Sequence, residues 1–308
     1  MKRILTKNYF MTQSTTNTTH IIKVIQKSKT YVIQPKPGTQ EYELFKIPQD
    51  YASKISGMRH TVSDITYDFG VHSIPDIWNY TLNLHVPPSI RQNTHPVTQI
   101  PPTIQHVLGH LSAGDSDFYY RLLDTLAAMM QTGQKIATAT IFQGVDWCGA
   151  RLFAQQILMP LFGREYTSFI HSHRSKNLRK RIERNYIIFD ELAPYDLRQS
   201  NRRAKNIRRA ITTRQMTIAG KTVQSNATWF LYFELPEKIQ LAPNDDLFTV
   251  SPYISDWIDQ TNWWTTEADI RDKIAQELPD FAAYLHHRTV NPAILQHSLK
   301  NAARQALI

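Results

Sequence analysis

Apolar residues recur in three different rhythms along this chain, and each rhythm predicts a different kind of element. Residues 1–30 show none of them: they are rich in Thr, Asn, Gln and Lys, with few large apolar groups after Phe10. No element is predicted there, and the stretch reads as poorly ordered. Short alternating runs follow, such as Tyr31-Val32-Ile33 and Tyr42-Glu43-Leu44-Phe45, punctuated by Pro35, Pro37 and Gly38. They predict a small β-containing lobe over residues 31–95. Prolines then crowd residues 87–102 (Pro87, Pro88, Pro96, Pro101, Pro102), where helix and central strand are both disfavoured, so a linker is predicted.

Helical spacing returns over residues 104–132, where Leu108, Leu111, Phe118, Leu122, Leu123, Leu126 and Met129 fall on related faces. This is a helical lead-in, and with the linker it makes up residues 96–135. Next comes an apolar, β-branched run from Ala137 that ends at Gly144, and then a helical run over residues 150–161. Tyr186-Ile187-Ile188-Phe189 predicts a second buried strand, followed directly by Asp190 and Glu191. A hairpin is predicted from 215–218 and 222–225 around Ala219-Gly220, and a further strand over 228–233. Strands separated by helices argue an α/β fold with a parallel sheet, here over residues 136–252. The remainder, 253–308, reads as mostly helical, with Ile270, Ile274, Leu278, Phe281, Tyr284 and Leu285 at helical spacing.

Composition narrows the class. With 308 residues and 42% hydrophobic content the chain can bury a core larger than one small domain needs. Its single cysteine, Cys148, excludes an intramolecular disulfide framework and multi-cysteine zinc patterns, and fits a reducing cytoplasm. No apolar run approaches the ~20 residues of a membrane span. The basic start Met1-Lys2-Arg3 has no apolar segment behind it and does not read as a secretory signal.

Charge changes the picture most. The formal net charge is +9, and between positions 171 and 221 fourteen Lys and Arg face four Asp and Glu, leaving 21 against 22 elsewhere. A single basic segment on an otherwise neutral body is the footprint of a polyanion partner, because phosphate neutralisation releases condensed counterions. Nucleic acid leads; a solvated basic helix without a partner is the plain alternative, and an acidic protein or membrane surface comes after both.

The order of these pieces resembles the ATPase core of superfamily-three helicases, specifically the helicase module of phage and plasmid primase-helicases. The resemblance covers residues 104–285. It rests on Ile141-Phe142-Gln143-Gly144 leading into Gly149 and Leu158-Met159-Pro160-Leu161-Phe162-Gly163, on Ile187-Ile188-Phe189-Asp190-Glu191, on the hairpin near Lys221, and on Glu277-Leu278-Pro279-Asp280-Phe281-Ala282-Ala283-Tyr284-Leu285. It implies a P-loop, AAA+-like α/β core with a helical lead-in and C-terminal helices.

The resemblance also implies positions for nucleotide chemistry. In a phosphate loop, backbone N–H groups cradle the phosphates, a lysine reaches the β and γ phosphates, and a hydroxyl binds Mg²⁺. Gly144 and Gly149 keep the spacing, but the lysine position is Ala150 and the hydroxyl position Arg151. Trp147 stands where the family often has glycine, a residue with little tolerance of positive φ, so the cradle itself is expected to be compromised; Asp146 adds a negative charge beside it. Asp190 and Glu191 match the acids that in the family hold Mg²⁺ and orient water, although an acidic pair after a strand could equally be solvated or cap a turn. Glu234 falls where the sensor asparagine is expected. The stretch before Phe248, Asn244-Asp245-Asp246-Leu247, holds no arginine finger, a group worth roughly 10³ to 10⁵ in rate.

These departures make the expected protein a pseudo-ATPase that uses neither ATP nor Mg²⁺. The alternatives are an active ATP-dependent helicase, with another loop or Arg151 itself gripping phosphate, and a partner subunit of a helicase ring that does not bind DNA. By the same resemblance, Lys221 in the hairpin contacts single-stranded DNA, with Arg214 at the hairpin's base. Arg202, Arg203, Lys205, Arg208 and Arg209 on a helix, and Arg179, Lys180 and Arg181 before the acidic strand, could extend the phosphate track. No aromatics are interleaved among them, so backbone contact without sequence readout is expected. The expected setting is DNA replication in a phage or mobile element, in the host cytoplasm, with other replication proteins or a homo-oligomer as further partners and no membrane.

Other motifs carry less. His106 and His110 have zinc-peptidase spacing, but Val107 takes the place of the general base. His171 with His173, and His286 with His287, lack ligand partners at metal spacing. Cys148 has no histidine base and reads as a packed thiol. Trp257, Trp263 and Trp264 read as core or interface.

Overall fold

Every residue of the strand Ala139–Gly144 is buried, and so is every residue of Thr228–Phe233. Strands of that kind need apolar cover on both faces, as in a parallel sheet between helix layers. In the computed structural model they are the centre of such a sheet. It describes residues 22–26, 29–35, 42–47, 60–62, 64–66, 76–78, 81–83, 88–92, 95–170, 182, 185–192, 202–218, 221–233, 241, 246–255, 267–291 and 295–305.

The chain divides into two compact units, Met1–Val86 and Pro87–Ile308. The first contains β1 (Ile22–Gln26), β2 (Lys29–Pro35), β3 (Tyr42–Ile47) and β4 (His60–Val62) in the order β3-β2-β1-β4. A smaller sheet holds β5 (Asp64–Thr66), β6 (Asp76–Trp78) and β7 (Thr81–Asn83) in the order β5-β7-β6. β1 lies within the thirty residues to which the sequence assigned no element: Ile22, Val24 and Ile25 are β-branched, and pairing with β2 and β4 supplies the hydrogen bonds that a polar-flanked segment lacks by itself.

The second unit begins with a short 3₁₀ turn, Ser89–Gln92, inside the expected linker. That segment is docked, because the Arg91 guanidinium Nη2 donates to Met130 O (2.7 Å), a carbonyl in the last turn of a helix. Burial lowers the Arg91 pKa from its ordinary value. The single expected lead-in helix is two helices, α1 (Pro102–Leu111) and α2 (Ser116–Thr132). Ala113 and Gly114 take φ of 42° and 81° between them, and Asp115 caps α2 by accepting from Phe118 N (2.9 Å).

Then follow β8 (Ala139–Gly144) and helix α3, which runs as Ala150–Leu152, a π-helical stretch Phe153–Leu158, and Met159–Phe162. Next are β9 (Thr167–Ile170), β10 (Ile187–Glu191), α4 (Arg202–Thr212), the antiparallel hairpin β11 (Gln215–Ile218) and β12 (Lys221–Gln224), β13 (Thr228–Phe233) and β14 (Phe248–Ile254). The unit ends with α5 (Glu267–His287) and α6 (Ala302–Gln305). β9 and β14 were not anticipated, and β14 carries the core two residues beyond the expected end at 252. Asp190 and Glu191 belong to β10 and do not follow it.

All four pairings of the main sheet are parallel, in the order β14-β8-β13-β10-β9. Successive residues of a strand face opposite sides. Ala139, Ile141, Ile188, Trp229, Leu231 and Val250 pack against Ile207, Ala210 and Ile211 of α4. On the other side Phe142 stacks on Phe230 (6.5 Å), with Phe153 of α3 (5.5 Å) and Phe118 of α2 (6.0 Å) edge-on to Phe142. α5 packs on α1 and α2, and its Glu277 carboxylate caps α1 by accepting from Thr103 N (3.1 Å) and Ile104 N (3.0 Å). Among the described residues no helix is long and apolar enough to cross a membrane.

Candidate functional site

In open parallel sheets, ligand sites form outside the carboxyl ends of strands, where neighbouring strands send their connections in opposite directions. The strand order puts that point between β8 and β13. The connection leaving β8 leads towards β9 at one edge, and the one leaving β13 leads to β14 at the other. The loop of residues 144–149 begins there, between the ends of β13 and β14.

Local geometry explains the loop's glycines. A Cβ on Gly144 would lie 2.6 Å from Ile254 O and 2.8 Å from Ile254 Cβ, so only glycine lets β8 turn away against β14. Val145 N donates to Ile254 O (3.0 Å), and Cys148 N donates to Val145 O (3.1 Å), closing a turn. Gly149 has φ of 93° and its carbonyl accepts from Phe153 N (2.9 Å), starting α3. Trp147 has φ of 63° and is 60% exposed. The expectation that tryptophan would refuse positive φ is therefore corrected: the turn imposes the left-handed conformation, at a cost of about 1–3 kcal/mol.

Arg151, in the first turn of α3, reaches the acids. Its Nε donates to Glu191 Oε1 (2.6 Å) and its Nη1 to Asp146 Oδ1 (3.1 Å), which also accepts from Trp147 N (3.0 Å). The guanidinium lies 5.8 Å over the Tyr232 ring, whose hydroxyl donates to Val145 O (3.0 Å). Loop, β10 and β13 are thus joined around one cation. Ala150 is buried and Asp190 is 1% exposed. Cys148 is a packed thiol, its pKa pushed up mainly by burial. Among the described residues no group of three or more His, Cys, Asp or Glu is placed to hold a metal ion.

The basic segment divides into four groups. Lys205, Arg209 and Arg214 are exposed, the first two on α4 and the third at the foot of the hairpin. Arg208 is half-buried, its guanidinium 5.5 Å over the Phe248 ring. Arg202 and Arg203 open α4 and Lys221 opens β12. Arg179, Lys180, Arg181 and Glu234 lie outside the described residues, as do Trp257, Trp263 and Trp264. Asp246 and Leu247 form a turn before β14, and Lys300 Nζ lies 3.8 Å from Asp246 Oδ1.

Sequence reasoning missed Lys135, whose amine meets the end of α4 and the residue after β12. Its partners lie 75 to 90 positions away, and no local pattern marks them.

A scan against protein-family models gives no match, and neither does a search of curated proteins. Among solved structures 66 chains match. The apo A form of the NrS-1 C-terminal region superposes with a TM-score of 0.72 at 17% identity, covering 92% of this chain and 70% of that one. The apo structure of NrS-1 residues 305–718 superposes at 0.73 over the same shares, and an A-form structure of that region covers 100% and 72% at 0.73. At 17% identity these likenesses establish the fold alone, a mixed α/β architecture built on a parallel five-stranded sheet.

Proposed function

We propose that this chain is a helicase-related protein of a phage or mobile element that acts in DNA replication or its control, binds DNA, and does not hydrolyse ATP. The observation that carries the reading is the Arg151 guanidinium held between Glu191 and Asp146. At the loop position where a phosphate-binding site presents a metal-ligating hydroxyl there is a cation, and the second acid of β10 is bonded to it. With Ala150 buried at the lysine position, this loop offers a Mg²⁺–nucleotide complex neither its cation nor its metal ligand. The residues do not fit that cofactor.

The remaining chemical asset is the surface formed by Lys205, Arg209 and Arg214 beside the hairpin. Cations on a helix and hairpin suit the backbone of a single strand, which is bound by charge and without sequence readout.

The deciding experiment titrates labelled single- and double-stranded DNA at two salt concentrations, with and without ATP and Mg²⁺, and follows ATP turnover in parallel. Salt-sensitive binding that ignores nucleotide is expected. DNA-stimulated turnover above that of an Asp190→Ala variant would establish an active helicase instead. Failure to bind either DNA would point to a partner subunit of another protein's ring.

A further inference from the structure

The elements that carry the exposed cations meet at one amine. Lys135 lies in the segment between α2 and β8, and its Nζ donates to Ala210 O, to Thr213 O (2.9 Å) and to Ser225 Oγ (3.1 Å). The first two are carbonyls at the C-terminal end of α4, where a helix lacks internal donors and where positive charge is favoured by its dipole. Ser225 follows β12 directly. Its hydroxyl donates to Ala210 O (2.7 Å), and its N–H donates to Arg214 O (2.7 Å), closing the hairpin's foot. The neighbouring Ile136 N donates to Thr228 Oγ1 (3.0 Å), fastening the same segment to the start of β13.

Ala210 and Ser225 are fully buried, so water does not replace a missing donor there. The Lys135 amine therefore ties the end of α4 to the residue that closes the hairpin. Lys205 and Arg209 stand on one side of that junction and Arg214 on the other. Phosphates along a strand are regularly spaced, so cations on two elements act together only when the angle between those elements is held.

We propose that Lys135 is a positioning residue for polyanion binding: through its bonds to Ala210, Thr213 and Ser225 it holds α4 and the hairpin in the one arrangement that aligns their cations. This rests on the reading of the basic segment as a DNA-binding surface. Lys135 contacts no DNA and acts by pre-organising the groups that do. It also makes the lead-in helix α2 part of the binding unit, because the segment that carries the amine is the exit from that helix.

The test uses the full chain with Lys135→Gln and Lys135→Arg, binding of a labelled single-stranded oligonucleotide, and amide hydrogen exchange. Lys135→Gln, too short to reach three acceptors, should weaken binding at least tenfold. Faster exchange should be confined to residues 202–225, with β8 and β13 as protected as in the wild type. Lys135→Arg should recover most of the affinity. Binding within twofold of wild type for Lys135→Gln, or a uniform loss of protection across the sheet, overturns the proposal. If the wild-type chain binds no DNA, the DNA reading fails, and the exchange pattern alone decides the anchor: confinement to residues 202–225 upholds it and its absence overturns it.

Discussion

Arg151 Nε lies 2.6 Å from Glu191 Oε1, joining the first turn after the glycine loop to the last residue of β10. The two partners differ in exposure: the side chain of Arg151 is 39% exposed and that of Glu191 only 14%. Desolvation of the carboxylate makes this pair worth more than an open surface bridge, whereas the contact to the more exposed Asp146 is the weaker of the two.

A double-mutant cycle of Arg151→Ala and Glu191→Gln should therefore show a coupling of about 1 kcal/mol in urea unfolding. The matching cycle with Asp146→Asn should give less than about 0.5 kcal/mol. Equal couplings would mean that the loop, and not β10, is what the guanidinium secures.

The turn at Gly144 and Trp147 yields a pair of opposite outcomes. Gly144→Ala drives a methyl onto the Ile254 backbone and should destabilise by about 1–3 kcal/mol, with slower or incomplete folding. Trp147→Gly removes a left-handed, exposed tryptophan and should stabilise by up to about 1 kcal/mol. Thermal or chemical denaturation reads both, and a destabilised Trp147→Gly would show that the indole has contacts that outweigh its strained backbone.

Salt dependence tests the basic surface. If about six phosphates of a single strand are neutralised, log K should fall with log salt at a slope of roughly −4. Replacing Lys205, Arg209 and Arg214 by glutamine together should flatten the slope by about 2, whereas Arg208→Gln should leave it unchanged, because that guanidinium lies over Phe248. A slope that changes with Arg208 and not with the other three would relocate the track.

The Lys135 amine is pushed down to about 7, first by burial and then by the neighbouring Arg214. An unfolded lysine keeps its proton up to about pH 10.4, so between about pH 7 and that point the unfolded chain binds more protons and stability climbs with pH. Compared with Lys135→Met, the wild type should gain up to about 1.4 kcal/mol per pH unit across that window. Urea unfolding at pH 7.5 and 9 measures it. A gain that shrinks with rising pH would mean that the three acceptors favour the ammonium more than burial penalises it.

How far the fold was legible follows from where its information is stored. β8, β10 and β13 each contain a short apolar or β-branched run, and the hairpin flanks a glycine, so each could be read locally. β9 escaped notice because Thr167 and Ser168 break its apolar character in a strand of only four residues. β14 escaped because Pro252 interrupts it; the proline is tolerated where the strand lies at the sheet edge and its register shifts between Val250 and Tyr253. The site was legible in part. The spacing of Gly144 and Gly149 and the missing lysine and hydroxyl are facts of the chain, but the meeting of Arg151 with Glu191 spans forty positions and follows from strand order alone.

The linear order of residues determined the elements, the concentration of positive charge over positions 171–221 and the unusual chemistry of the glycine loop, because propensity, periodicity and charge are local properties. Tertiary structure decided which cations are left exposed, which acid answers Arg151, and that Lys135 joins α4 to the hairpin. Those outcomes depend on which strands become neighbours, and buried carbonyls and charges then take whatever partner the packing brings within reach.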